Sequence, residues 1–140
     1  MSQFLSHTAV SARGDSRWQA EVHRGWRIGS VANGGYVLAL VGRTLSDALN
    51  QPDPLSINAF YLAPVALGEV EVAVESLSET RSTHFASADL RQEGELKLRA
   101  TAAYTDLDKL KGPDWTNGTP PDVPSMEDVQ TPAMSHLEIH

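Results

Sequence analysis

Only one stretch of this chain can form a long helix, and a long run of two-residue alternation follows it. Within residues 36–49, Val37, Leu38, Val41, Leu45, Ala48 and Leu49 recur at helical spacing. The first turns are apolar nearly all round, which predicts burial on most sides, while Arg43, Ser46 and Asp47 mark a wetter face further along. Gln51-Pro52-Asp53-Pro54 stops the helix. Gly42 in its interior costs about 1 kcal/mol relative to alanine. Close approach of the helix backbone to a sheet is the expected compensation, with a tolerated defect as the alternative.

The rest of the body reads as strands. Residues 17–22 alternate, with Trp18, Ala20 and Val22 on one side and Arg17, Gln19 and Glu21 on the other. After the helix come strands over 55–62, 69–77, 83–91 and 96–104. In the second, Val70, Val72 and Val74 face a core while Glu69, Glu71 and Glu75 face water. In the last, Leu96, Leu98, Ala100, Ala102 and Tyr104 alternate with Lys97, Arg99 and Thr101. One-sided alternation belongs to an antiparallel sheet with one solvated face. Ala86, Ala88, Ala100 and Ala102 leave room for a bulky helix to lie close. The fold class is therefore α+β, with an antiparallel sheet and one long helix to cover it.

At 140 residues there is chain for one compact domain. The 11 basic and 18 acidic groups leave a net charge of −7, which argues against a nucleic-acid backbone or an anionic membrane as the main partner. Without cysteine there is no disulfide, no thiolate catalysis and no Cys-ligated metal. Residues 1–12 lack the features of a signal peptide, and the longest apolar run, 36–41, is far short of the ~20 residues that cross a bilayer. A cytoplasmic location is expected by default. The composition divides the chain into a domain over 1–112 and a linker over 113–134, which holds five of the eight prolines, four acids and no Lys or Arg. Residues 135–140 alternate again and are expected to begin a further strand, the truncated start of a second repeat.

Several runs together resemble the TesB-like acyl-CoA thioesterases, in the branch with two hotdog repeats per chain. They are Trp26-Arg27-Ile28, Asn33-Gly34-Gly35-Tyr36 at the helix start, and the strand Ser56-Ile57-Asn58-Ala59-Phe60-Tyr61-Leu62 closing on Ala63-Pro64-Val65. Residues 68–79, Arg81-Ser82-Thr83-His84-Phe85-Ala86 and residues 98–104 complete them. The likeness spans about residues 15–108 and is to the N-terminal repeat. It implies a hotdog fold, in which the sheet wraps one long central helix. It also implies an acyl-CoA or related acyl thioester as substrate, no cofactor, and pairing with a second hotdog repeat or a homo-oligomeric partner. The family's catalytic Asp, Thr and Gln usually lie in the second repeat, so none of them carries over to these residues.

Thioester hydrolysis needs a place for negative charge on the carbonyl oxygen and a group that activates water. A helix start offers free backbone N–H groups and a favourable dipole, and Gly34-Gly35 would let a ligand approach them. The Gly35 and Tyr36 amides are thus candidate carbonyl binders, although Asn33-Gly34-Gly35 also reads simply as the turn into the helix. Asn33 suits an N-cap better than a catalytic role. Tyr36 could line an acyl tunnel or belong to ordinary core. Single-repeat hotdog thioesterases often carry a carboxylate two turns into the helix, where this chain has Leu40-Val41-Gly42-Arg43-Thr44. The catalytic candidates that remain are Asp47, whose spacing from Arg43 suggests a surface ion pair, and His84, suited to act as a base, bind an anion or serve structure. Asn58 and His84 are expected to line the groove beside the helix start, and Arg81 and Arg91 could meet phosphates or only water. His7, His23, His136 and His140 show no metal-binding spacing. Two other functions remain open. One is a non-catalytic acyl-binding or assembly module. The other is a hotdog dehydratase or hydratase, which would want an Asp-His pair, and the loop before the helix offers no His for it.

Overall fold

The structure, a computed structural model, describes residues 2–112, 118–125 and 127–128. Its elements run α1 (Gln3–His7), β1 (Val10–Gly14), β2 (Arg17–Val22), a 3-10 turn (Arg24–Trp26), β3 (Arg27–Ile28) and β4 (Val31–Ala32). Then follow α2 (Gly34–Ala48), β5 (Asp53–Tyr61), β6 (Gly68–Glu79), β7 (Thr83–Gln92), β8 (Glu95–Thr105) and a short 3-10 turn (Leu107–Lys109). Six strands make one antiparallel sheet in the order β1-β2-β6-β7-β8-β5. β3 and β4 form a separate two-stranded ribbon just before α2. Among the described residues no helix is long and apolar enough to cross a membrane.

The expected helix and its five strands are all present. Val37, Leu40, Val41, Thr44 and Leu45 are buried along one stripe of α2, and Arg43, Ser46 and Asp47 lie exposed. The stripe rests on the inward rows of the sheet, where Val70 and Val72 of β6, Leu90 of β7 and Leu98 of β8 are buried. Ala86 pairs with Ala102 and Ala88 with Ala100, all four buried, so the sheet floor is thin where the helix lies on it. α2 touches β1, β2, β5, β6 and β7, and the Tyr104 hydroxyl of β8 donates to the Gly42 carbonyl at 3.1 Å. An antiparallel sheet wrapped on one central helix is the hotdog architecture.

Two expectations about the helix change. Gly42 is not required by a close approach, because a Cβ there would meet only Ile57 Cδ1 at 3.8 Å, an ordinary contact. Asp47 does not pair with Arg43. Its Oδ2 accepts the Trp18 indole N–H at 2.7 Å and ties the last turn of α2 to β2.

α1, β1 and the β3–β4 ribbon have no counterpart in the pattern of the sequence. β1 is an edge strand with four of its five residues exposed, so it shows no alternation. It joins β2 through Asp15-Ser16, two residues with φ of 50° and 56°, as a type I′ hairpin demands. Glu93-Gly94 makes the same kind of turn between β7 and β8, with φ of 52° and 81°. In the Pro-rich segment, residues 118–125 and 127–128 hold no helix or strand. The strand expected over 135–140 lies outside the described residues.

Candidate functional site

The start of α2 is built by its preceding loop. The Asn33 N–H donates to the Trp26 carbonyl at 2.7 Å, and the Ala32 N–H donates to Val65 O at 2.9 Å. These two bonds bring the β3–β4 ribbon and the turn after β5 to one place. Asn33 is the N-cap. Its Oδ1 accepts the Gly35 N–H at 2.9 Å and the Tyr36 N–H at 3.2 Å. The two amides that could have met an acyl carbonyl therefore already have an acceptor, and the cap reading describes Asn33. Gly34 and Gly35 remain exposed at the surface.

Tyr36 turns the other way. Its ring is buried and stacks on Trp26 with centroids 5.5 Å apart. Its hydroxyl lies 2.7 Å from the His7 carbonyl and 3.1 Å from the Glu21 carbonyl, and it accepts the His23 N–H at 3.3 Å. One hydroxyl carries one proton, so the shorter contact to His7 takes it. Burial pushes the Tyr36 phenol above its ordinary pKa, and the bond from His23 works against that rise. Tyr36 thus fastens α1 and the end of β2 to the helix.

A groove of about 320 Å³ opens directly beside Gly34. Val31 and Ala32 of the ribbon, Val37 of α2, Tyr61 at the end of β5, and Leu62 and Val65 of the turn supply most of its wall. Apart from the Tyr61 hydroxyl, these side chains are apolar. Tyr61 reaches across the mouth, donating its hydroxyl to the Gly34 carbonyl at 2.9 Å. An apolar groove ending at the positive end of a helix suits a ligand with an apolar chain and a polarised carbonyl. A larger concavity of about 440 Å³ lies over β1 and β2, where Arg13 shares the wall with Glu21 and Glu69, two carboxylates directly opposite each other, and it lies away from the start of α2.

The remaining candidates are spread out. Tyr61 pairs with Leu98 of β8, whereas His84 pairs with Tyr104, six residues further along that strand and thus about 20 Å away. His84 is buried, with Nε2 2.7 Å from Ser76 Oγ and Nδ1 without a partner among the described residues. A proton on Nδ1 would be a buried donor with no acceptor, so the geometry favours the tautomer with hydrogen on Nε2. In that tautomer the ring donates to Ser76 and takes no proton from it. Asp47, at the far end of α2, is about 20 Å from Gly34 along the helix. Asn58 is exposed in the middle of edge strand β5, and Ile57 and Ala59 on either side of it pack on the core. So the structure gathers Asn33, Gly34, Gly35 and Tyr36 at one place and leaves Asn58, His84 and Asp47 elsewhere. Tyr61, Leu62 and Val65 are groove residues that no local pattern marks. The one hint is Ala63-Pro64, a turn that sends the chain back past the helix start.

Comparison with known proteins agrees with this architecture. A candidate thioesterase II from Thermobifida fusca YX is similar with a TM-score of 0.83 and 27% identity, covering 89% of this chain and 47% of its own. A conserved hot dog fold protein of unknown function from Alicyclobacillus acidocaldarius has a TM-score of 0.83 at 23% identity, covering 95% and 51%. The tesB protein of Mycobacterium avium subs paratuberculosis has a TM-score of 0.73 at 19% identity, covering 89% and 48%. The chain thus spans about half the length of these structures. No curated protein matches it. Residues 22–105, from the end of β2 to the end of β8, match the family described as acyl-CoA thioesterase N-terminal domain, and the chain belongs to that family.

Proposed function

We propose that this chain is the N-terminal hotdog repeat of an acyl-CoA thioesterase, and that it supplies the acyl-binding wall and the surface on which a second repeat assembles. The observation that carries this is the apolar groove seated against the first turn of α2. In this reading the acyl chain lies against Val31, Val37, Leu62 and Val65. The thioester carbonyl lies near the helix start, where the dipole favours the negative charge that develops on its oxygen. Asn33 holds the first turn in shape.

The water-activating group belongs, in this reading, to the second repeat. Two observations support that assignment. Among the described residues the groove has no carboxylate or imidazole in its wall. The three similar structures named above are also about twice as long as this chain. Strand β5 is the natural seam for pairing, because it is a sheet edge that exposes Leu55, Phe60 and Tyr61, with Leu62 exposed just after it. Bare edges with apolar side chains are otherwise an aggregation hazard.

The test measures acyl-CoA binding and thiol release with residues 1–140 and with the full encoded protein. Saturable binding by both, with turnover only when a second repeat is present, is the expected result. Turnover by residues 1–140, abolished by His84→Ala or Asp47→Ala, would move the chemistry to the other end of the sheet. Binding without turnover in either protein would make this an acyl-binding module, and no binding in either would end the proposal.

A further inference from the structure

We infer that Gln92 is a positioning residue for the acyl groove, fixing the wall that Leu62 and Val65 supply, an inference that rests on the acyl-binding reading above. Gln92 is the last residue of β7 and closes its inward row, where His84, Ala86, Ala88 and Leu90 precede it. It is only 7% exposed. A buried amide needs hydrogen-bond partners, and those of Gln92 are backbone groups outside its own strand. The Ala66 N–H donates to Oε1 at 2.8 Å, and Nε2 donates to the Ala66 carbonyl at 3.0 Å and to the Glu69 carbonyl at 3.4 Å. Ala66 presents one donor and one acceptor, so the amide fits in one orientation, with its oxygen toward the N–H.

That pairing lands at the end of the groove wall. Residues 62–67, between β5 and β6, belong to no helix or strand, so no ladder fixes their path. Leu62 and Ala63 donate their N–H groups to the Lys97 carbonyl at 2.9 and 3.2 Å, which secures the start of the turn. Pro64 has no N–H, and the Val65 carbonyl accepts the Ala32 N–H of the facing ribbon. The end of the turn is secured at Ala66, by Gln92. Ala66 is itself exposed, so its N–H and C=O could turn to water if the amide were lost. What Gln92 supplies is therefore the course of the chain. Moving Ala66 moves Val65, whose side chain lines the groove and whose carbonyl holds the ribbon that carries Val31 and Ala32. Both walls thus take their positions through one side chain that does not itself line the groove.

The experiment compares the full encoded protein with Gln92→Met, which keeps the side chain's length and loses its hydrogen bonds, and with Gln92→Glu, which keeps an acceptor for the Ala66 N–H. It reads hydrogen–deuterium exchange at the Ala66 and Ala32 amides. It also reads dissociation constants for free coenzyme A and for octyl-coenzyme A, a thioether that cannot be hydrolysed. Gln92→Met is expected to exchange faster at both amides and to bind free coenzyme A as the wild type does. Its affinity for octyl-coenzyme A should fall about tenfold, because binding must then order the wall as well. Gln92→Glu should lie between the two. A side chain that served stability alone would lower the melting temperature and leave the ratio of the two constants unchanged. An unchanged ratio in folded Gln92→Met therefore overturns the role of Gln92 while leaving acyl binding intact. Should Gln92→Met not fold, the same ratio in Gln92→Glu decides. A wild-type protein that binds octyl-coenzyme A no more tightly than free coenzyme A would instead sink the acyl-binding reading, and this inference with it.

Discussion

Asp89 holds the guanidinium of Arg99 through two bonds, Nε to Oδ1 at 2.7 Å and Nη2 to Oδ2 at 2.6 Å, with Arg91 Nη2 3.5 Å from the same carboxylate. The bond from Arg99 is the main cause that lowers the Asp89 pKa below its ordinary value. A depressed carboxylate contributes stability that is present above its unfolded pKa of about 3.9 and is lost as pH falls through the lower folded value. Urea unfolding of Asp89→Asn is therefore expected to vary less with pH below about 4 than that of the wild type. Salt should shrink the difference, because Arg99 is largely exposed. Gly42 carries a prediction of the opposite kind. A Cβ there touches only Ile57, and the helix gains from a residue with less backbone freedom. Gly42→Ala should raise stability by about 0.5–1 kcal/mol, read as a higher urea midpoint at unchanged m-value.

At the scale of elements, the start of α2 depends on one side chain. Asn33 Oδ1 satisfies two first-turn amides, so Asn33→Ala should cost about 1 kcal/mol. Asn33→Asp, which keeps the acceptor and adds a favourable charge at the helix start, should restore most of it, and thermal melts of the two variants decide. The other end of α2 is tied by Trp18 and Asp47, partners 29 residues apart. Neither residue type nor local spacing announces that bond, which is why the i,i+4 rule pointed to Arg43 instead. The β1–β2 hairpin was equally hidden. Asp15-Ser16 lacks the Asn-Gly signature of a type I′ turn, and an exposed edge strand has no inward face to alternate. By contrast Val70, Val72 and Val74, and Leu98, Ala100, Ala102 and Tyr104, were plain in the sequence, because each strand buries one face against the helix.

Among the described residues the six-stranded sheet ends in two edge strands, β1 and β5, and they differ. β1 exposes Ser11, Ala12 and Arg13, whereas β5 exposes Leu55, Phe60 and Tyr61, followed by Leu62. If β5 is the seam for a second hotdog unit, charge there should oppose assembly. Phe60→Lys combined with Leu62→Lys is expected to lower the association of this chain in sedimentation velocity while leaving its far-ultraviolet circular dichroism unchanged. Equal association of wild type and variant would remove β5 from consideration as the seam.

By itself the sequence determined the one long helix, the strands that follow it and their inward rows. These are consequences of periodicity, a local property that each segment carries wherever it lies. The family likeness was legible for the same reason, as an order of such segments. Only the tertiary structure decided what meets at the helix start. The Tyr61 ring sits on Gly34, 27 residues away in the chain, while His84 is carried to the opposite end of the sheet. Those meetings depend on strand register and on how far a turn carries the chain back, quantities set by the packing of the whole sheet on the helix rather than by any one stretch of residues.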